Sequence, residues 1–172
     1  MTVLARTEIL KLVKSGKLKI KPFNERQVGP ASIDMRLDNV FRVFNKTHKI
    51  FMVRDKVDHK KLTKIVKVGK GGYFLIMPGE LIHGITKEEI ELPENICARI
   101  EGRSSLARIG LLVHLSSGFI HPGTKNKTVL EIVNISHIPL AIYPGIRICQ
   151  IILEDVKGKG VYRGKFHLQK EP

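Results

Sequence analysis

Tryptophan is missing from this chain, and only three tyrosines and seven phenylalanines stand in for it. So few rings leave little to stack bases on, which argues against a single-strand nucleic-acid platform. Cysteine is almost as scarce: Cys97 and Cys149 sit singly in apolar stretches. Two cysteines do not build a disulfide framework, and both read as buried free thiols. With no signal peptide visible, a reducing cytoplasm is the expected compartment. Long apolar runs are absent too, and none approaches the ~20 residues a membrane span needs. No membrane partner is therefore expected.

Acid is also in short supply. Lys+Arg number 30 against 16 Asp+Glu, a formal net charge of +14. Such a chain attracts anions: nucleic acid, an acidic membrane surface or phosphorylated small molecules. The lysines are spread out, however. Lys11, Lys14, Lys17, Lys19 and Lys21 read as a solvated helix face and the strand after it. Lys56, Lys60, Lys61, Lys64, Lys67 and Lys70 read as a polar hairpin. Nothing in the pattern reads bases, so nucleic acid is not the expected partner.

The length of 172 residues fits one domain able to bury a core without disulfides. Thr7 is a plausible N-cap, and Ile9, Leu10, Leu12 and Val13 then share a helical face before Gly16 stops it. From Lys17 onward the pattern changes to short apolar runs, among them Ser32–Leu37, Val40–Phe44, Lys49–Val53, Leu81–Thr86, Ile96–Glu101, Thr128–Ile135 and Arg147–Leu153. Turn residues separate them, including Pro78-Gly79, Pro122-Gly123 and Pro144-Gly145. Proline sets the first corner of such a turn and glycine takes positive φ at the next. This spacing predicts an all-β sandwich or barrel. Ser104–Arg108 is a candidate short helical piece. The tail, 158–172, is polar and Gly-rich, which suits either a disordered end or a mobile lid.

Three segments concentrate chemistry. In Glu101–Arg108 two arginines and two serines follow a glycine at a strand end. The arginine fork matches phosphate oxygens, and freed backbone N–H groups add donors; a capped turn with surface arginines is the plainer reading. In Thr128–Asn134, alternation puts Val129, Glu131 and Val133 on one face and Leu130 and Ile132 on the other. Glu131 is thus expected to be buried, either as a tuned general base or as a structural partner of an arginine. The loop Leu115–Gly123 carries Ser117 and His121. Zinc is not expected, because the His-x-Glu and Pro-Cys-x-x-Cys signature of zinc nucleobase deaminases is missing.

These residues resemble a known family. Gly29–Leu37 (GPASIDMRL) followed by Val40–Phe44, then Phe74–Glu80 (FLIMPGE), Ile90–Pro93 (IELP), Glu101–Val113 (EGRSSLARIGLLV), Pro144-Gly145 and the tail Tyr162–Gln169 are similar, in order, to dCTP deaminases. Trimeric dUTPases share a related motif with Gly where Ser105 stands. The resemblance implies an all-β fold, a distorted jelly roll (β-clip, dUTPase-like) with a short N-terminal helix. It implies one dUTPase-like domain over 1–172, with 158–172 closing as a lid. It further implies a homotrimer with sites between subunits, and Mg²⁺ carried by the substrate triphosphate without a protein metal site.

Residue by residue, the resemblance makes Glu131 catalytic, with Ser104 and Arg108 holding water and base. Arg103 and Ser105 fall in the triphosphate segment. Ser117, His121, Val129, Gln150, Tyr162, Lys165 and Gln169 fall on substrate contacts. The implied reaction is hydrolysis of dCTP to dUTP and ammonia, with Glu131 shuttling protons between water, ring nitrogen and leaving group. The chain departs from the family at His121, where members usually carry Asp, and after Pro-Gly, where it has Thr124-Lys125-Asn126. His121 is the reason to expect deamination alone. A dUTP diphosphatase, a bifunctional enzyme making dUMP and pyrophosphate, and a non-catalytic nucleotide binder are the alternatives.

Overall fold

The computed structural model describes residues 2–47, 50–53, 55 and 58–172. Helix α1 (Arg6–Lys14) turns Ile9 fully into the core. Its start differs from expectation, because Ala5 holds the N-cap position, no side chain caps it, and Thr7 lies inside the first turn. Tertiary bonds replace the cap: the Leu4 N–H donates to the Leu153 carbonyl and the Arg6 N–H to the Pro30 carbonyl. The stop is the expected one, with Gly16 at φ 71°.

The strands follow as β1 (Lys19–Lys21), β2 (Ile33–Arg36), β3 (Val40–Phe44), β4 (Thr63–Lys67), β5 (Phe74–Ile76), β6 (Leu81–Glu91) and β7 (Ile96–Gly102). After helix α2 (Ser104–Ala107) come β8 (Leu111–Val113), β9 (Phe119–Ile120), β10 (Lys125–Asn134), β11 (Leu140–Ile142) and β12 (Arg147–Asp155). The expected strand over Lys49–Val53 is not formed in its described part: Ile50 is 89% exposed, Val53 81% exposed, and neither pairs as a strand. Lys49 and Lys56 lie outside the described residues.

Among the described residues the strands make three sheets. The largest runs β4–β3–β6–β10–β8 with β1 also on β6; a second runs β2–β12–β7–β9; β11 pairs β5. Every pairing is antiparallel. Sequence neighbours repeatedly land in different sheets, which makes a distorted jelly roll. Ile33, Met35, Ile151 and Leu153 of one sheet and Phe41, Ile82, Leu130 and Ile132 of the other share one buried cluster. Each such side chain contributes about 1.5–3 kcal/mol by leaving water. A buried acid ties the two sheets: Glu88 on β6 accepts from Gln27 Nε2, the Arg36 N–H and Arg36 Nε. Both cysteines are free and buried, and burial pushes their thiols up. No helix among the described residues is long and apolar enough to cross a membrane.

Candidate active site

Strand β10 carries the site. Leu130, Ile132 and Asn134 face the core, while Val129, Glu131 and Val133 are half-buried on the opposite face. Register sets Glu131 opposite His83 on β6, and His83 opposite Arg42 on β3. On the other flank Ile132 pairs Val113 of β8, and the Glu131 N–H donates to His114 Nδ1 at 3.2 Å. Arg42, His83, Glu131 and His114 thus form one row across neighbouring strands.

His83, Glu131 and His114 of this row line a cavity of about 450 Å³, and Arg42 lies buried beside His83 outside the lining. Glu131 is less buried than expected, with its side chain 26% exposed toward the opening. The reason is local. Ser116 donates from its N–H at 3.2 Å and from Oγ at 3.3 Å to Glu131 Oε2, so the carboxylate is held by a loop at the cavity wall. Among the described residues no arginine is bonded to this carboxylate, so the alternative reading of a structural Glu locked to one is not seen there. His114 Nδ1 lies 3.9 Å from the same oxygen. His114 Nδ1 accepts the Glu131 N–H, and the buried Nε2 has no hydrogen-bond partner among the described residues.

Burial holds His83 below the ordinary imidazole range, and His59 and Arg42 add to this while Glu131 opposes it. His59 is lowered for the same first reason, helped by Arg42 and Lys165. Both imidazoles are therefore neutral at neutral pH.

The tail lies across the cavity instead of trailing as a disordered end. The Tyr162 N–H donates to the Pro122 carbonyl at 2.9 Å, Asn126 Nδ2 to the Phe166 carbonyl at 2.8 Å, and the Lys127 N–H to the Gln169 carbonyl at 3.0 Å. Arg42 Nε donates to the Pro172 carbonyl at 2.6 Å. The Tyr162 ring stacks on His121, with centroids 5.3 Å apart and planes 6° from parallel, and Phe119 meets His121 edge-on at 4.9 Å.

Of the residues singled out from sequence, Glu131, Ser117, His121, Val129, Tyr162 and Gln169 line this cavity. Ser104, Arg108, Arg103, Ser105, Gln150 and Lys165 do not. Helix α2 sits at the turn between β7 and β8, whereas the cavity is lined from β6, β7, β9, β10 and the tail. Helix α2 has four residues and no side-chain cap, so any anion there meets side chains and not a helix dipole. Arg103 Nε stands 3.6 Å from Asp34 Oδ1 and its Nη1 donates to the Arg147 carbonyl. Arg147 Nη1 donates to Asp34 Oδ2 at 3.0 Å. Gln150 Oε1 accepts from Ser32 Oγ at 2.9 Å, and the Lys165 ammonium stands over the Phe166 ring. Sequence reasoning missed His83, His59 and Arg42. A histidine inside the apolar run Leu81–Thr86 is a signal, but its opposition to Glu131 depends on register.

A family model described as dCTP deaminase-like matches residues 3–156. The chain is 38% identical over 177 residues to a Corynebacterium kroppenstedtii protein named dCTP deaminase, dUMP-forming, covering 99% of this chain and 94% of that one. It is 35% identical over 178 residues to the Dictyoglomus thermophilum protein of the same name, covering 99% and 92%. Among solved structures, the 2′-deoxycytidine 5′-triphosphate deaminase of Agrobacterium tumefaciens superposes with a TM-score of 0.69 at 23% identity. That match covers 90% of this chain and 48% of the other, so this chain spans about half the length of that protein, and the likeness is one of fold. With the family match running over most of its length and relatives this similar, the chain belongs to the dCTP deaminase-like family.

Proposed function

We propose that this protein hydrolyses dCTP and carries it to dUMP, releasing ammonia and pyrophosphate. The reading rests first on Glu131, whose carboxylate opens into the cavity with Ser116 bonded to one oxygen, Oε2. His121 in place of the family's usual Asp points to dUTP as the end product; the names of relatives at 38% and 35% identity favour dUMP instead.

In the first step a water attacks C4 of cytosine while Glu131 takes its proton. Glu131 passes that proton to the ring nitrogen, then moves the hydroxyl proton to the amino group, and the C4–N bond breaks as ammonia leaves. Acid–base groups placed this way typically contribute ~10²–10⁴-fold. A second water then attacks phosphorus and the α–β phosphoanhydride bond breaks. His121 stands where the family's usual Asp would assist that step, and its imidazole nitrogen would take the place of that carboxylate as proton acceptor. Deamination alone is the second reading, favoured by the Tyr162 ring stacked face-on against His121.

Ser104, Arg108, Arg103, Ser105 and Gln150 enter the same proposal from a neighbouring subunit of a homotrimer. Their place outside their own chain's cavity supports this arrangement. Ser104 and Arg108 would orient the water and base beside the Ser117 backbone, and Arg103 and Ser105 would meet the triphosphate. Residues 158–172 would act as the lid of a single domain, with Tyr162, Lys165 and Gln169 touching nucleotide.

Mg²⁺ fits here as a passenger of the nucleotide. Among the described residues no group of His, Cys, Asp or Glu is set to hold a metal, and Asp34 is bracketed by Arg103 and Arg147. Bound to phosphate oxygens, Mg²⁺ would neutralise charge and favour pyrophosphate release. Incubating purified protein with dCTP and dUTP separately, then identifying products, tests the proposal. The expected products from dCTP are ammonia, dUMP and pyrophosphate. Accumulation of dUTP would support the second reading, and no ammonia from dCTP would overturn both.

A further inference from the structure

We propose that His83 is a positioning residue for Glu131, standing beside the carboxylate as a neutral neighbour, and that its protonation sets the acid limit of the deamination. The inference rests on the deamination proposed above for Glu131. The first ground is register: Glu131 on β10 and His83 on β6 are direct cross-strand partners, and both line the cavity. Residues so paired on one face stand within side-chain reach of each other.

The second ground is that the His83 ring is fixed in place. Phe44 meets it edge-on at 5.5 Å and His59 at 5.9 Å. Ser116 and His114 bound Glu131 on its other side. The carboxylate therefore works in a slot between a serine loop and an imidazole.

The third ground is charge. Arg42 faces His83 from β3, His59 from the turn His59–Leu62, and Glu131 from β10; Lys165 of the tail acts on His59. A guanidinium on one side and a carboxylate on the other pull the imidazole in opposite directions, and burial, with His59 and then Arg42, prevails over Glu131. At neutral pH the imidazole is uncharged, so it places no cation beside the Glu131 carboxylate. As pH falls and His83 gains a proton, a cation appears beside the carboxylate. The carboxylate is then attracted to that cation, and the side chain is drawn toward β6 and away from Ser116.

Two measurements on the full chain test this. In the first, kcat and KM for dCTP are followed against pH for the wild type, His83→Leu and His83→Gln. His83→Leu is expected to lower kcat at neutral pH about 10-fold with KM changed less than about 2-fold, as for a misplaced base. His83→Gln, which keeps a neutral polar group, is expected to recover part of that loss. In both variants the acid limb moves to lower pH. An unshifted acid limb, or a rise in KM alone, would overturn the proposal. In the second, NMR follows the His83 imidazole in the wild type and in Glu131→Gln. Loss of the carboxylate charge is expected to lower the titration midpoint by roughly 0.3 pH units or more. An unchanged midpoint would overturn the coupling. Should the wild type release no ammonia from dCTP, the functional reading fails by itself, and the NMR titration still decides whether His83 and Glu131 are coupled.

Discussion

Replacing Glu131 with Gln keeps the shape of the side chain and its hydrogen bonds from Ser116, but removes the base. Ammonia release from dCTP should fall by ~10²–10⁴-fold, while calorimetry should still detect nucleotide binding. Gly102 makes a different kind of prediction. A Cβ added there would stand 2.6 Å from the Val113 carbonyl oxygen, which is backbone and cannot swing aside. Gly102→Ala should cost about 1–3 kcal/mol, read as a lower urea midpoint. The contrast shows what sequence makes visible at this scale. Glu131 was legible because an acid inside an alternating apolar strand has to face something. Gly102 looks like the start of an anion-binding turn, yet its first duty is to let β8 approach β7. His83 was not legible, because only the pairing of β6 with β10 sets it opposite Glu131, across a register that shifts between Lys127 and Val129.

At the scale of elements, Glu91 links three strands. From β6 it meets Lys19 of β1 at 2.6 Å and Lys125 of β10 at 3.0 Å. The Lys19 hydrogen bond and then the Lys125 one hold its carboxyl below the usual carboxylate range. A lowered carboxyl stabilises the fold above its unfolded pKa, and that contribution is lost as pH falls through the folded value. Glu91→Gln should therefore lower stability at neutral pH by less than about 1 kcal/mol, since these pairs are partly exposed. The difference between the two proteins should disappear in acid, which thermal melts across pH would reveal. Element types were largely readable from the sequence. Helix α1 and its Gly16 stop, the Pro-Gly corners and most strands follow from periodicity and turn chemistry. Failures occurred where tertiary partners decide: Ala5 in place of Thr7 at the helix start, and no strand over the described part of Lys49–Val53.

At the scale of the molecule, the Glu131 cavity and the arginine–serine turn stand apart within one chain, and Arg103, Ser104, Ser105 and Arg108 do not line the cavity. In the proposed homotrimer of 19.4 kDa chains, each site takes Glu131 from one subunit and Arg108 from the next. Glu131→Gln and Arg108→Ala should each be nearly inactive alone, and unfolding and refolding them together should restore activity through hybrid trimers. A mixture that stays inactive would place the whole site within one chain. Residue spacing alone does not reveal this division; it is the resemblance to dCTP deaminases that implies sites shared between subunits.

The most direct test of Glu131 as the base for water attack at C4 is a reaction of dCTP in ¹⁸O-labelled water, with products read by mass spectrometry. One label should enter the uracil ring at O4 and a second the phosphate of dUMP or the pyrophosphate, according to which phosphorus the water attacks, with ring labelling slowed at least about 100-fold in Glu131→Gln. Ring labelling at the wild-type rate in that variant, or label in phosphate with the cytosine amine intact, would contradict it.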